Sequence, residues 1–593
     1  MSQSTVPNTQ SSDNLRSIPS SASIYFHPEA FSTTGPKLMG RNSAGESFMR
    51  GLLMYSSIAE LSACLPKPAY EANFRQLLDQ SGYRGKASSF LLENLASRNN
   101  IGTIFYPGPG LAAQAWARHH ISDQAWRLCG ITHTLASSAA MHAITECISA
   151  PVQPWDALIC TSKVAHDVVH RLFEAHAAYL ESRLGAKSFT LPQTPIIPLG
   201  VHSDEWHRSS AQTLSAREAL NISADACVVL FAGRLSFHAK AHPLAMYRAL
   251  ELALQELKAA QTPDRVTAPV VLIEAGVFPN DAIARAFADA FALAAPSVRR
   301  LVIEGRQPLA WDQAWASADI FCSLSDNIQE TFGITPLEAM ARGLPVIISD
   351  WNGYRDHVVD AVHGYRISTI QPPPGQGADL GLRYSLDIDT YDMYIGHAAM
   401  IASVDVRAAC QAFKTLIQSP EKRQAMGAAA KAYVQANVDW RVIIPRYEAL
   451  WADLDERRSQ AATARSSAQS HAQNADHFAS HHDPMTIFAS YPTRPMDAPI
   501  LVSLGSMAWP QVKSLAMLQF AQAVLPAESL VQAILGQLQG ARELSLAELA
   551  NNLGHQDLKT LYRALAVLAK VDVLRWRESG ALHQANTASG QVQ

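Results

Sequence analysis

From residue 22 to about 454, short continuously apolar runs alternate with stretches that are apolar at helical spacing. The first half predicts strands at SIYFHP (23–28), GTIFYPG (102–108), WRLCGITH (126–133) and DALICTS (156–162), with intervening stretches such as ESFMRGLLMYSSIAELSA read as helical. The second half repeats the arrangement with VVLFAG (228–233), PVVLIEAG (269–276), RLVIEG (300–305), DIFCSLS (319–325) and LPVIISD (344–350). Strands without polar alternation are expected where helices cover both faces of a parallel sheet. Two such units imply two doubly wound α/β domains. Three prolines in FTLPQTPIIPLGVHSDEW (189–206) place their junction near residue 200.

Domain boundaries follow: a disordered, Ser-rich lead over 1–21, domains over 22–200 and 201–420, and closing helices over 421–454. After Leu454 the composition turns to Ala, Ser, Gln and His, which predicts a flexible linker over 455–498. A compact, mainly helical module is expected over 499–580, and a disordered tail over 581–593. Within the module, LSLAELANNLGHQDLKTLYRALAVLAKVDVLRWRE (544–578) reads as helix, turn, helix and strand and resembles a winged helix. Its basic and acidic residues nearly balance, which favours packing or docking of a protein partner over DNA recognition.

Composition narrows the functional classes. A net charge of -4 over 593 residues gives no general attraction to nucleic acid or anionic lipid. The 7 cysteines show neither C-x-x-C nor zinc-ligand spacing and read as buried thiols of a reducing compartment. The lead lacks the apolar centre of a secretory signal, and no apolar run is long enough to span a bilayer. The expected location is the cytoplasm, with attachment to the inner face of a membrane left open.

The richest segment is Glu330-Thr-Phe-Gly-Ile-Thr-Pro-Leu-Glu338, followed by AMARGLPVIISD. Thr335 as N-cap, Pro336 at the first position and Glu338 completing a capping box predict a helix from Pro336, ended by Gly343-Leu-Pro345. The N–H groups from Gly333 to Leu337 would then lie free at the mouth of a parallel sheet, where a helix start attracts anions. The strand VVLFAG ends at Gly233 and is followed by Arg234 and, six residues later, Lys240. That places a planar fork and a mobile point charge at the carboxyl edge of the same sheet. A cap and a solvated carboxylate would explain the two glutamates by themselves; with the two cations alongside, an anion site explains all four.

ETFGITPLEAMARGLPVI resembles the E-x7-E signature of the retaining glycosyltransferase family 4, of the GT-B fold. GRLSFHAK is similar to that family's Gly-Arg…Lys element, and IPLGVHSDEW to its interdomain turn. WDALICTSKVAHDVV and SPEKRQAMGAAAKAYVQANVDW resemble the end of its first domain and its closing helices. The likeness covers about residues 22–454. It implies that Glu338 takes the ribose hydroxyls of a nucleoside diphosphate sugar, and that Glu330 holds the transferred sugar. It also implies that amides of Phe332, Gly333 and Ile334, at the helix start with Thr335, support sugar and phosphate. Arg234 and Lys240 would neutralise the leaving diphosphate, so that no metal ion and no cofactor is called for. These groups are expected to be ionised at neutral pH without tuning. His133, beyond a strand end, is placed by the resemblance beside the sugar and the acceptor; a histidine satisfied in the core fits the sequence equally. The segment 35–48 corresponds to the family's glycine-rich loop, with Gly45 as the close approach to the diphosphate.

Three other patterns lose on inspection. Gly108-Pro-Gly110-Leu-Ala-Ala113 mimics a dinucleotide fingerprint but lacks the later acidic residue. Asp387-Ile-Asp389 falls after the second sheet and reads as loop polarity, and Gly85-Lys86 lacks the upstream glycine of a P-loop. The expectation is therefore a hexosyltransferase using a UDP-, GDP- or ADP-sugar and a sugar, lipid or protein acceptor. A sugar phosphorylase, a nucleotide-sugar epimerase and a silent binding or assembly protein are the alternatives.

Overall fold

The computed structural model describes residues 22–32, 40–98, 101–207, 209–260, 268–466, 482–493, 495–496, 500–540, 543–554 and 557–578. The expected disordered lead and tail, the first part of the glycine-rich loop and much of the linker lie outside these residues. The chain divides into one unit up to Asp476 and a second from His477.

The first unit contains two six-stranded sheets. One joins β1 (Ala22–Tyr25), β2 (Glu60–Leu65), β3 (Lys86–Leu91), β4 (Thr103–Phe105), β5 (Arg127–Ile131) and β6 (Ala157–Ile159) in the order 3-2-1-4-5-6. The other joins β7 (Cys227–Ala232), β8 (Val270–Gly276), β9 (Arg299–Glu304), β10 (Ile320–Ser323), β11 (Val346–Ser349) and β12 (Gly364–Ile367) in the order 12-11-10-7-8-9. Every pairing in both sheets is parallel. Both sheets thus have the doubly wound order, and the two-domain GT-B architecture expected from the sequence is present. Strand order reverses between β1 and β4 and between β7 and β10, and ligands of such sheets bind outside the carboxyl ends at that point.

The apolar runs become strands because helices bury both faces. All residues of β5, β7, β8, β10 and β11 are buried. The second half of ESFMRGLLMYSSIAELSA departs from its helical reading: the Gly40–Tyr55 helix stops, and Glu60 begins β2. Leu61, Ala63 and Leu65 point into one core there and Cys64 into the core on the opposite face, as in a strand covered on both sides.

The helix Trp440–Ser466 returns to the first domain and completes its core. Trp440 donates its indole N–H to Ser47 Oγ at 2.8 Å, and Tyr447 and Trp451 pack with Phe48 and Phe105. The linker expected from 455 therefore begins later. Asp455 pairs with the nearly buried Arg127 of β5, and Arg458 reaches the carbonyls of Gln124 and Ala125. Those ties hold the backbone helical where composition alone reads as linker.

The second unit builds an antiparallel sheet from Ile500–Leu504, Leu544–Ser545 and Leu574–Glu578 against helices Glu528–Gln537, Leu546–Asn552 and Leu558–Lys570. Its core includes Val531, Ile534, Leu549, Leu561, Leu565 and Leu568. Helix, turn, helix and strand follow as read from the sequence, while the central strand from Ile500 was not foreseen. On the last strand, Arg577 pairs with Glu543, and Asp572 holds Arg575 at 2.9 Å.

Trp440 lies against two glycines, where added methyl groups at Gly51 and Gly200 would stand 2.7 and 2.3 Å from its Cδ2. Gly51→Ala and Gly200→Ala should each destabilise the first unit by about 1–3 kcal/mol through overpacking. Gly110→Ala, with nothing within 4 Å, should not. Urea unfolding followed by tryptophan fluorescence measures the difference.

Candidate active site

The second sheet's switch point sets the site. β7 ends at Ala232, and Gly233 leads into a loop carrying Arg234 and Lys240; β10 ends at Ser323, and the chain runs through Asp326 and Asn327 to Glu330. Buried Asn327 holds the two loops together. Its Nδ2 donates to the His238 carbonyl at 2.7 Å, its Oδ1 accepts from Gln329 N–H at 2.8 Å, and its carbonyl accepts from the Trp351 indole at 3.1 Å. Ser325 Oγ adds a bond to the Lys240 carbonyl at 3.0 Å.

This scaffold brings Lys240 Nζ into a hydrogen-bonded ion pair with Glu330 Oε2. Burial by itself would raise the Glu330 carboxyl, but the Lys240 charge, with N–H groups of Phe332 and Thr331, holds it below its ordinary range. Burial likewise opposes the Lys240 charge, and Glu330 overrides it, so the ammonium is held above its usual value. Arg234 Nη2 donates to Gln329 Oε1 at 2.6 Å and to the Ala239 carbonyl at 3.2 Å. Its partners are neutral, so its charge is not cancelled by these contacts. The cations of one loop and the turn leading into the next helix thus share one rim.

The helix start differs from its sequence reading. The helix spans Ile334–Arg342 with Gly333 as N-cap at φ 90°, and no side chain caps it. Thr335 lies inside the first turn, its buried Oγ1 without a hydrogen-bond partner, so the Thr335–Glu338 capping box does not form. Packing decides this: a Cβ on Gly333 would stand 1.9 Å from the Tyr354 ring, so only glycine permits the turn beneath that tyrosine. The helix consequently begins two residues earlier and presents the first-turn N–H groups, which no intrahelical carbonyl can satisfy, at the end next to Glu330. Gly343 closes it in the left-handed conformation, as the sequence indicated.

Glu338 is released from capping, and burial lifts its carboxyl to about 7, only partly offset by Lys240. This corrects the expectation that every acid of the motif is ionised without tuning; Lys240 is already committed to Glu330. Phe332 is buried with its ring 5.1 Å from His357, and its amide serves Glu330.

The first domain supplies the facing wall. Thr331 Oγ1 donates to the His133 carbonyl at 3.0 Å, Ser162 Oγ donates to the Thr331 carbonyl at 2.7 Å, and Lys163 N–H donates to Asp356 Oδ2 at 2.7 Å. Burial, together with the Arg41 charge, lowers the His133 imidazole to about 4 despite its bond to the Pro107 carbonyl. His133 is therefore neutral at physiological pH and lies at the domain interface. Gly45, in contrast, falls within the Gly40–Tyr55 helix and not in a loop. A Cβ there would meet the Ala30 carbonyl oxygen at 2.0 Å, so close helix packing is what demands glycine. Asp389 of the D-x-D pattern is held by Arg383 at 2.7 Å and His397 at 3.1 Å, in keeping with its reading as loop polarity. No group of three or more metal-ligating side chains occurs among the described residues. All 7 cysteines are buried free thiols, and no described helix is long and apolar enough to cross a membrane.

Sequence reading missed Asn327, Gln329 and Tyr354. Gln329 and Asn327 carry no motif signal; Tyr354 was detectable only through the demand for glycine at 333.

Residues 302–372 match the family model described as Glycosyl transferases group 1. The matched segment holds Glu330, the helix start and Glu338. No curated protein matches the chain. Among solved structures it is similar to HepE of Anabaena, crystallised with UDP and glucose, at 14% identity and TM-score 0.47, covering 73% of this chain and 99% of that one. It is also similar to a sucrose-phosphate synthase of Thermosynechococcus elongatus, at 16% identity, TM-score 0.42 and coverage of 75% and 99%. A glycosyltransferase of Rickettsia africae shows 11% identity, TM-score 0.46 and coverage of 73% and 98%.

Glu338 favours the folded state when protonated, because its carboxyl sits above the ordinary value of 4.5. Its contribution is complete below that value and is lost as pH rises through about 7. Glu338→Gln should therefore melt above the unsubstituted protein at pH 8 and level with it at pH 5, in paired thermal scans without ligand.

Proposed function

We propose that the protein transfers a hexosyl group from a nucleoside diphosphate sugar to a sugar, lipid or protein acceptor, with retained anomeric configuration and without a metal ion. The observation that carries this reading is the shared rim on which Arg234, Lys240 and the start of the Ile334–Arg342 helix meet. Two cations and a helix N-terminus suit a diphosphate, and they are positioned where an α/β sheet of this order takes its ligand. The match of residues 302–372 to a glycosyltransferase family model supports the same assignment.

In this reading the diphosphate lies against Arg234, Lys240 and the first-turn N–H groups, with Thr335 Oγ1 as a further donor. Glu338, once ionised, accepts both ribose hydroxyls through its two oxygens. Glu330 accepts hydroxyls of the sugar and is kept ionised by Lys240. As the bond from the anomeric carbon to phosphate breaks, the developing negative charge meets cations already in place. The acceptor oxygen bonds to the same face of that carbon, and its proton passes to the departing phosphate oxygen. Neutral His133 lies on the acceptor side, able to donate or accept one hydrogen bond without bringing a second positive charge.

Thermal scans against UDP-, GDP- and ADP-sugars test donor binding, since a ligand near 100 Kd stabilises by about 2.7 kcal/mol. No shift with any of them would overturn the proposal. With the donor found, Arg234→Ala should lower kcat by roughly 10²–10³; its partners are neutral, so the fold should survive. Donor affinity should fall below pH 7, by about tenfold per unit once Glu338 is mostly protonated, and Glu338→Gln should flatten that profile. NMR of the product reads the anomeric configuration, and an inverted product would remove the retaining assignment.

A further inference from the structure

Between β12 and the helix Val406–Gln418, the second domain carries a helical insertion composed of Ala378–Ser385 and Tyr391–Met400. The two helices are anchored very differently. Tyr391–Met400 is rooted: Ile395, Gly396 and Ala399 are buried, Gly396 lies against His238, and the Ile395 carbonyl accepts from Asn327 Nδ2 at 3.4 Å. Ala378–Ser385 contains no buried residue at all. It follows an exposed Pro372-Pro-Pro374 stretch and leaves Leu382 and, just beyond it, Leu386 facing solvent.

What fixes this outer helix is a short set of polar and ring contacts. Arg383 pairs with Asp389, and Tyr384 stacks on Tyr394 with centroids 4.6 Å apart and planes 8° from parallel. The Tyr384 hydroxyl oxygen then accepts from the Ser138 N–H of the first domain at 3.0 Å. Ser138 is the first residue of a helix whose N-cap is Ser137, so that N–H has no intrahelical carbonyl to bond. A second phenol crosses beside it, with Tyr391 Oη 3.2 Å from Thr134 Oγ1. Thr134 Oγ1 also donates to the Gln329 carbonyl at 3.4 Å, and the Gln329 side chain receives Arg234.

We propose that Ala378–Ser385 is a clasp: its Tyr384 hydroxyl, with that of Tyr391, latches the second domain onto the Ser138 helix start and holds the cleft shut beside Arg234. Cross-domain bonds at Thr331, Ser162 and Asp356, by contrast, arise next to sheet ends and the segments packed on them. The outer helix contributes no buried residue of its own, and its ties to the rest of the domain are Arg383 on the buried Asp389 and Tyr384 on Tyr394, so in this proposal it is the part of the closure that gives. Thr134, which meets the Tyr391 hydroxyl, also reaches the carbonyl of Gln329, the residue whose side chain receives Arg234, so the latch adjoins the Arg234 loop. The latch itself does not depend on the transferase reading.

Hydrogen exchange on the full chain without ligand tests it. Tyr→Phe removes one oxygen and keeps the ring stack, so the fold is retained. Tyr384→Phe combined with Tyr391→Phe should speed exchange of the Ser138 amide at least about tenfold, a loss of about 1.4 kcal/mol of protection. Tyr394→Phe, whose hydroxyl makes no cross-domain bond among the described residues, should leave it unchanged. An unaltered Ser138 amide in the double variant, or an equal acceleration in Tyr394→Phe, overturns the clasp. Because no donor is present, either result leaves the assignment of a nucleotide-sugar site to be judged separately.

Discussion

A carboxylate and an ammonium, both largely withdrawn from solvent and satisfying each other, tie together the two loops of this rim. Burial by itself disfavours the charged form of each group, and it is the partner's charge that overrides it in both. Removing one partner leaves the other charge without its counter-ion, so the two loops that carry them are constrained to one arrangement. Asn327 and Ser325 supply the backbone bonds that make the arrangement possible. The titration of Glu338 bears on the same pair: Lys240 is spent on Glu330 and only partly offsets the burial that raises the Glu338 carboxyl.

Much of this was written in local sequence. The strands at the centres of both sheets are continuous apolar runs and can be read directly. The strands that were missed have weaker marks. Lys86–Leu91 and Gly364–Ile367 are edge strands, partly exposed and short, and Glu60–Leu65 follows a helical stretch with no strong breaker. Arg234, Lys240, Glu330 and Glu338 were singled out because their types and spacing express one chemistry, and the fold brings Lys240 onto Glu330. The capping box at Thr335 failed for a tertiary reason: Tyr354, nineteen residues beyond Thr335, dictates where the turn falls, and no propensity at 335 can report it. The titration of Glu338 was hidden in the same way, since burial is decided by the fold. Gly45 shows the opposite error, in which a glycine suited to a loop serves to let a helix approach the Ala30 carbonyl.

The pairing of rigid sheets with a lightly anchored insertion separates two demands that conflict in one body. For the proposed transfer, charges must stay fixed to be effective at the moment of bond breaking, because reorganising them would consume the stabilisation they provide. Substrates must still enter and leave. On the clasp proposal, the cations sit on loops pinned at the switch point and the movable contacts on a helix without buried residues, so that opening leaves the electrostatic arrangement in place.

The return of Trp440–Ser466 to the first domain bears on how the chain folds as it is made. Trp440 and Ser47 are 393 positions apart, yet they share one core with Phe48 and Phe105. A ribosome that has released the first Rossmann domain has therefore released only part of that domain's interior. The aromatic surface of Phe48 and Phe105 stays uncovered until the second domain has emerged and the last long helix has followed it. Such a non-local closure folds slowly and leaves an apolar face open to association in the interval. The first domain is complete as a sheet but not as a folding unit.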